Sequence, residues 1–172
     1  MKGTIVNCLE DLVKEKVGRD GWKQVLTDAG LSPVTIISTT ASLPDEQVIS
    51  LIAAAAGVLH ISVQQAMDAF GEYWSSVYAP KMYGPWFAKA TNAREFLLNM
   101  DNVHIAITKN VAEAAPPRFT FEDKGPHEMV MNYSSPRGLV ALMPGLIRGV
   151  GKYFNENLQV RATGNAMYIT FP

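Results

Sequence analysis

The chain has 172 residues, of which 48% are hydrophobic, and its formal net charge at pH 7 is -1. This length suits one domain with a real core, and the balanced charge argues against a nucleic-acid-binding protein. The single cysteine, Cys8, excludes an internal disulfide and a cysteine-based metal cluster. The longest apolar run, 51–59, is too short to insert across a bilayer, and the start lacks signal-peptide anatomy, so we expect a cytoplasmic protein.

The first half of the chain is predicted to be helical, because hydrophobic residues recur there at helical spacing between glycine and proline breaks. Ser62 is placed to cap one helix, and Pro116-Pro117 ends the last of them. A break is expected at Tyr83-Gly84-Pro85. The helices are expected over residues 4–16, 21–29, 45–56, 63–76 and 93–114.

The second half is predicted to contain a small antiparallel sheet interrupted by one helix. Strands over 118–122 and 128–134 are expected to pair across a turn at Lys124-Gly125-Pro126. Strands over 158–162 and 166–171 are expected to pair around Thr163-Gly164-Asn165. The intervening helix is expected over about 139–154, with Pro144 either kinking it or limiting its first turn. This order of elements predicts the α+β class.

His104 is predicted to lie within an apolar helix face. An imidazole buried without a partner costs about 1–3 kcal/mol, so something should satisfy it. One answer is a hydrogen bond to a nearby carbonyl or to Asp101, and the other is a metal. A lone histidine is poor for zinc but sufficient for haem, which needs one axial ligand from the protein. The face consists of Leu97, Met100, His104, Ile107 and Val111.

Tyr133, Ser135 and Arg137 alternate along a segment that we expect to be extended, which would place their side chains on one face. A phenol, a hydroxyl and a guanidinium in a row form a clamp for carboxylate or phosphate oxygens. The alternative is a strand end with the arginine in a surface ion pair. The carboxylates of haem propionates suit such a clamp. Apolar helical stripes could wall a porphyrin, namely Ile5 and Leu9; Phe70 and Trp74; and Leu139, Leu142, Leu146 and Val150.

With these residues, the chain resembles the H-NOX family, the haem nitric oxide/oxygen binding domains related to the haem domain of soluble guanylate cyclase. The most specific match is a helical histidine followed by Tyr-x-Ser-x-Arg. The resemblance implies that His104 is the proximal ligand of haem b iron (iron protoporphyrin IX). It implies that Tyr133, Ser135 and Arg137 hold the propionates and that Pro117 distorts the macrocycle. Other matching stretches are 1–6, 69–74, 98–104 and 116–117.

The resemblance also implies an organisation and a ligand preference. A helical subdomain is expected over about 1–62 and a haem-ligating subdomain over about 63–172. Family members that bind O₂ stably carry a distal tyrosine at the position of Leu142. An apolar wall there favours NO and CO over O₂, which gains more from a hydrogen-bond donor. Trp74 is the possible exception, since its indole N–H could donate, while Met100 is expected to be filler beneath the ring.

The expected mechanism is weakening of the Fe–His104 bond by NO, followed by rotation of the helical subdomain and recognition by a partner. The resemblance implies partners such as a histidine kinase, a cyclase or a chemotaxis receptor, with no nucleic acid and no membrane insertion. The domain is expected not to be an enzyme.

Three other interpretations remain open. A haem peroxidase or oxygenase needs distal acid–base groups, which the predicted wall does not supply. His60 and His127 are expected to be solvated structural residues. A haem-free module would bind another anion at Tyr133, Ser135 and Arg137, and redox sensing through Cys8 is weak because no basic residue lies close in sequence.

Overall fold

The computed structural model describes residues 1–110 and 115–172. They form two compact units, 1–70 and 71–172. The predicted subdomain boundary after residue 62 stays a prediction. In chain order, the elements are α1 (Gly3–Asp28), α2 (Asp45–Val58), α3 (Val63–Tyr73), a π-helix (Trp74–Tyr78), α4 (Ala79–Phe87), α5 (Ala93–Leu98), α6 (Met100–Thr108), β1 (Arg118–Asp123), β2 (Glu128–Ser134), a 3₁₀-helix (Leu139–Leu142), α7 (Met143–Tyr153), β3 (Gln159–Thr163) and β4 (Ala166–Thr170).

The first unit is helical, as predicted. Its two predicted N-terminal helices are the arms of α1, which bends at Gly18 where φ is 77° and ψ is -175°. That φ lies in the left-handed region, which glycine adopts without steric cost. The predicted cap at Ser62 is confirmed, because Ser62 Oγ accepts from Gln65 N at 3.1 Å and Gln65 Oε1 accepts from Ser62 N at 2.9 Å. The buried core side chains on α1 and α2 include Val6, Leu9, Leu12, Val13, Trp22, Val25, Leu26, Val48, Leu51 and Ile52.

The second unit contains a four-stranded antiparallel sheet in the order β1-β2-β4-β3. Both predicted hairpins are present, and pairing of β2 with β4 joins them. Alternation decides which face is buried, since Met167 and Ile169 are buried on β4 whereas Tyr168 between them is 40% exposed. The buried face of the sheet and the helices share one core, which includes Phe87, Phe96, Leu97, Met129, Met131, Ile147, Val150, Leu158, Met167 and Ile169.

The predicted helix over 93–114 is wrong as a single element. It is divided into α5 and α6 at Asn99, where φ is -90° and ψ is 0°. Asn99 ends α5 and precedes α6, and its Oδ1 accepts from Asn102 Nδ2 at 3.0 Å. Asparagine favours such helix boundaries because its side chain competes for local hydrogen bonds. The break separates Leu97 from the helix that carries His104. Val111 and the end of the predicted helix lie outside the described residues.

Two other boundaries differ from the sequence prediction. The helix predicted over 63–76 passes into the π-helix and then into α4, so Tyr83-Gly84-Pro85 produces a bend at Tyr83 (φ -119°, ψ 25°) inside α4. The helix predicted over 139–154 begins as a 3₁₀-helix, and Pro144 lies in the first turn of α7. Proline is tolerated there because the first helical N–H groups have no partner within the helix.

No single helix among residues 1–110 and 115–172 combines the length and the hydropathy needed to cross a membrane. One bent pair, Asp45–Val58 and Val63–Phe87, reaches those thresholds only when the two helices are taken together.

The backbone of α7 is in close contact with the end of α3, which precedes the π-helix. A substitution at Gly149 tests this contact. An added Cβ at Gly149 would lie 2.6 Å from the carbonyl oxygen of Glu72 and 2.8 Å from its Cα. We expect Gly149→Ala to lower the free energy of unfolding by about 1–3 kcal/mol, the usual cost of overpacking. Denaturant titration followed by circular dichroism measures it. Gly84→Ala on α4 is the matched control, because a Cβ there meets no atom within 4 Å. An equal loss in both variants would contradict the contact.

Candidate functional site

The imidazole of His104 is held by one nitrogen and leaves the other available. The residue is partly buried on α6, and its Nδ1 lies 3.0 Å from the carbonyl oxygen of Met100. A carbonyl only accepts hydrogen bonds, so Nδ1 carries the hydrogen and Nε2 carries the lone pair. Within the described residues, the ring makes no second hydrogen bond. The carbonyl partner considered in the sequence analysis therefore exists, and it leaves Nε2 in the form that binds metals.

The electrostatics of His104 favour the neutral ring. Burial lowers its pKa, and the hydrogen bond to Met100 and the nearby charge of Asp101 oppose that effect without reversing it. A histidine whose pKa lies below its ordinary value of 6.5 is mostly uncharged at pH 7. Neutral imidazole is the state that can ligate a metal.

Asp101 ties the histidine helix to the sheet. Its carboxylate accepts from Arg118 Nε and a terminal nitrogen of Arg118, each at 2.8 Å, and from Phe119 N at 2.9 Å. The two guanidinium bonds, followed by the backbone bond, lower the pKa of Asp101 to about 2. Bidentate pairs of this kind fix orientation as well as distance. The position of α6 against the first residues of β1 is therefore set by a charged clamp that the sequence analysis missed.

Phe119 connects the histidine to the predicted propionate clamp. Its ring centroid lies 5.4 Å from that of His104 and 6.0 Å from that of Tyr133. Phe119 and Tyr133 are opposite each other in the β1–β2 register. The sequence analysis missed Phe119, although the predicted hairpin contained the signal. A buried aromatic directly opposite a predicted site residue on a paired strand shares its face.

The segment from Tyr133 to Arg137 is extended only at its beginning. Tyr133 is buried on β2, which ends at Ser134. The residues 135–138 form a turn, in which Gly138 N donates to Ser135 O at 3.4 Å and Arg137 N donates to Ser135 Oγ at 3.3 Å. The expectation that simple strand alternation places all three side chains on one face is therefore wrong. Arg137 is exposed, and the role of the three residues as a propionate clamp stays a prediction.

The ligand-side wall is the set of predicted residues Trp74, Leu142 and Leu146, and these lie on three elements of the second unit. Trp74 begins the π-helix, is partly buried, and stacks on Tyr78 with a centroid distance of 5.5 Å. Leu142 ends the 3₁₀-helix and Leu146 lies on α7, and both are partly buried. Gly71 lies where its missing Cβ would come within 2.6 Å of Leu146 N, which shows close packing of the two elements.

Four further residues that were predicted to contact haem lie on different parts of the chain. Met100 lies beneath His104 as the acceptor of its hydrogen bond, and Pro117 is partly buried just before β1. Ile5 and Leu9 lie on α1 in the first unit, where Leu9 is fully buried. Their roles at a haem stay predictions.

Two features of the surface lie apart from these residues. His60 and His127 are exposed, and Nδ1 of His127 lies 3.0 Å from the carbonyl oxygen of Pro172. A cavity of about 410 Å³ lies over the sheet and is lined by Lys124, Glu128, Met129, Val130, Gln159, Val160, Arg161, Tyr168, Ile169 and Thr170. None of the predicted site residues lines it. In the part of the chain that the structure describes, no group of three or more His, Cys, Asp and Glu side chains could hold a metal ion.

Comparison with known proteins gives concordant matches. Residues 2–162 match the family model described as Haem-NO-binding. The soluble guanylate cyclase gcy-37 of Caenorhabditis elegans is 26% identical over 153 residues, which are 87% of this chain and 22% of that protein. The beta-2 subunit of soluble guanylate cyclase from Rattus norvegicus is 26% identical over 121 residues, which are 63% of this chain and 18% of that protein. The chain thus spans about a fifth of the length of these relatives.

Solved structures agree on the fold. An oxygen-binding H-NOX domain related to soluble guanylate cyclases, in its oxygen complex, is 25% identical with a TM-score of 0.81, and the match covers 99% of this chain and 95% of that chain. An H-NOX protein from S. oneidensis in the Fe(II)NO state has a TM-score of 0.86 at 21% identity, over 100% of this chain and 99% of that chain. The second likeness supports the fold alone.

The clamp at Asp101 predicts a specific pH dependence. The pKa of Asp101 is lowered in the folded protein, so its stabilisation is complete above the ordinary value of 3.8 and is lost as the pH falls toward about 2. We expect Asp101→Asn to lower the free energy of unfolding, with a difference from wild type that is largest above about pH 4 and shrinks below it. Urea titrations at several pH values measure this difference. Asp11→Asn, at an exposed position on α1, controls for the substitution. A difference that stays constant from pH 6 to pH 2.5 would contradict the clamp.

Proposed function

This chain belongs to the Haem-NO-binding family, the H-NOX domains, which bind haem and serve as gas-sensor domains related to guanylate cyclase, and on that premise we propose that it senses nitric oxide. The proposal includes carbon monoxide as a second ligand and excludes stable binding of O₂. The observation that carries it is the geometry of His104, a neutral imidazole with Nδ1 bonded to the carbonyl of Met100 and Nε2 left for a metal.

The donor set of the second unit fits a haem. A single histidine ligand suffices when a porphyrin supplies four nitrogens, and no cluster of protein ligands is needed. The buried Tyr133 lies on the same side of the β1–β2 hairpin as Phe119, whose ring contacts His104. Through the family resemblance, Tyr133, Ser135 and Arg137 would hold the propionates of haem b. When bound, the haem would supply an iron that takes a diatomic gas.

The residues around His104 determine how its ring responds. The hydrogen bond to Met100 fixes the tautomer and raises the basicity of Nε2, as partners of metal-ligating histidines generally do. The Phe119 ring limits tilting of the imidazole, and the Asp101–Arg118 clamp holds α6 against β1. A displacement of the His104 ring would therefore be passed to α6 and from there to β1. We propose this route as the first step of signalling.

The preference among gases rests on Leu142. This residue occupies the position at which family members that bind O₂ stably carry a tyrosine, and its side chain has no donor. A bound O₂ would depend on a hydrogen-bond donor from the protein more than NO or CO would, and Leu142 would supply none. Trp74, whose ring stacks on Tyr78, is not given the role of that tyrosine in this proposal.

The output of the sensor belongs to the proposal as well. The relatives are soluble guanylate cyclases, in which the matching region is about a fifth of the protein. We therefore propose a signalling partner or a fused output domain, such as a cyclase, a histidine kinase or a chemotaxis receptor. The expected rotation between the two halves of the chain stays a prediction.

Replacement of His104 tests the haem ligand. We expect His104→Ala to lose most of the Soret absorbance of the purified protein, because the substitution removes the imidazole proposed to hold the iron. Added imidazole should restore the absorbance by filling the vacated position. His127→Ala, at an exposed site outside this region, should keep full absorbance. Haem content at the wild-type level in His104→Ala without imidazole would refute the assignment.

Replacement of Leu142 tests the gas preference. We expect the reduced wild-type protein to show no lasting oxygen complex in air, and Leu142→Tyr to retain O₂ at least about tenfold longer, since one charge-assisted hydrogen bond is worth roughly 1.5–3 kcal/mol. Leu142→Phe is the matched control, because it adds the ring without the hydroxyl. Absorbance spectra recorded after exposure to air measure the lifetime. A stable oxygen complex in the wild type would defeat the proposed selectivity.

A further inference from the structure

Glu72 forms an ion cluster with Arg148 and Lys152. Oε1 of Glu72 accepts from Arg148 Nε at 2.9 Å, and Oε2 pairs with Lys152 Nζ. The two cations are four residues apart on α7, so they project from one helix face onto the same carboxylate. The Glu72 side chain is only 22% exposed, which reduces the screening that weakens surface ion pairs.

The carboxyl group of Glu72 is ionised at neutral pH. Burial raises the pKa of its carboxyl, but the hydrogen bonds from Lys152 and Arg148 outweigh that effect and hold the pKa below its ordinary value. A half-buried carboxylate with two cationic partners costs much more to disturb than an exposed pair, because removing one member leaves the others unpaired.

The backbone beneath this cluster is in direct contact with α7. A Cβ at Gly149 would meet the carbonyl oxygen of Glu72, and a Cβ at Gly71 would meet Leu146 N, each at 2.6 Å. Predicted wall residues take part in this contact, since the added Cβ at Gly71 would also lie 3.0 Å from Leu142 O. On the other side, Trp74 follows Glu72 by two positions. Because the elements are packed without intervening side chains, a shift of one is passed to the other.

The π-helix that begins at Trp74 links the contact between Glu72 and α7 to the orientation of Trp74. A π-turn is rare, is wider than an α-turn, and is frequent at functional sites. Here the hydroxyl of Ser76 donates to the carbonyl of Glu72 at 2.6 Å, and Trp74 stacks on Tyr78 across the turn. The orientation of the Trp74 indole therefore depends on the π-helix, and the backbone of Glu72 accepts a hydrogen bond from within that helix.

We propose that Glu72 is a positioning residue for the ligand-side wall. Its bonds to Arg148 and Lys152 fix Trp74 relative to Leu142 and Leu146 and so keep the wall in one arrangement. The inference rests on the proposed haem function and deepens it. The carboxylate acts through Trp74 rather than on the gas itself. Loss of the cluster allows the indole more than one orientation and opens the wall to an entering ligand.

Carbon monoxide is the probe for this role, used with the reduced, haem-loaded protein. We expect Glu72→Gln to broaden or split the C–O stretching band in the infrared and to raise the CO association rate by about threefold or more, within the range known for residues that act at a distance. Asp123→Asn is the matched control, because it removes the same group from the exposed Arg94–Asp123 pair (2.9 Å) in the same unit. Both readouts should stay at wild-type values in the control.

A second background separates positioning from general loosening. In Trp74→Phe protein, the effect of Glu72→Gln on the CO rate should fall to within experimental error, because two residues that act in series are not additive. An equal effect in both backgrounds overturns the inference. If Glu72→Gln retains too little haem, Lys152→Gln, which removes the exposed partner, takes its place with a smaller shift of the same sign.

The outcomes distinguish the two proposals. Wild-type protein without a Soret band overturns the proposed function itself. Haem-loaded wild type together with an unchanged band and rate in Glu72→Gln, or in Lys152→Gln where that variant is used, overturns the positioning role alone.

Discussion

The hydrogen bond from His104 Nδ1 to the carbonyl of Met100 is the constraint on which the proposed chemistry depends. It satisfies a partly buried imidazole, selects the tautomer and leaves Nε2 with its lone pair. A histidine with a purely structural role would make the same bond, so the bond alone does not separate a structural histidine from a metal ligand. The distinction comes from its setting, in which burial keeps the ring neutral and Phe119 places it beside the buried Tyr133.

Two carboxylates of the second unit, those of Asp101 and Glu72, each fix one element against another. Asp101 joins α6 to β1, and Glu72 joins the end of α3 to α7. Each carboxylate takes more than one donor, and multiple charge-assisted bonds define direction as well as distance. The histidine side and the proposed ligand side are therefore each held by one acidic residue.

Much of the fold and part of the candidate site could be predicted from the sequence. Periodicity and glycine or proline breaks are local signals, so they located the two arms of α1, predicted as separate helices, and the two hairpins. They failed at Asn99, where the helix is interrupted within an apolar stripe, and after Ser134, where the chain turns instead of remaining extended. In each failure, the residue types were suited to both conformations, and the contacts of neighbouring elements decided between them.

The sequence by itself determined the chemical inventory: a histidine in an apolar face, a Tyr-x-Ser-x-Arg motif and no donor at Leu142. It also determined the α+β order, since that follows from short-range patterns. Only the tertiary structure decided which nitrogen of His104 is engaged, and which acidic residues anchor the helices. Glu72 and Arg148 are 76 positions apart, and Asp101 and Arg118 are 17 apart. Pairings over such separations leave no periodic trace in the chain, because they depend on where the packed elements bring each side chain.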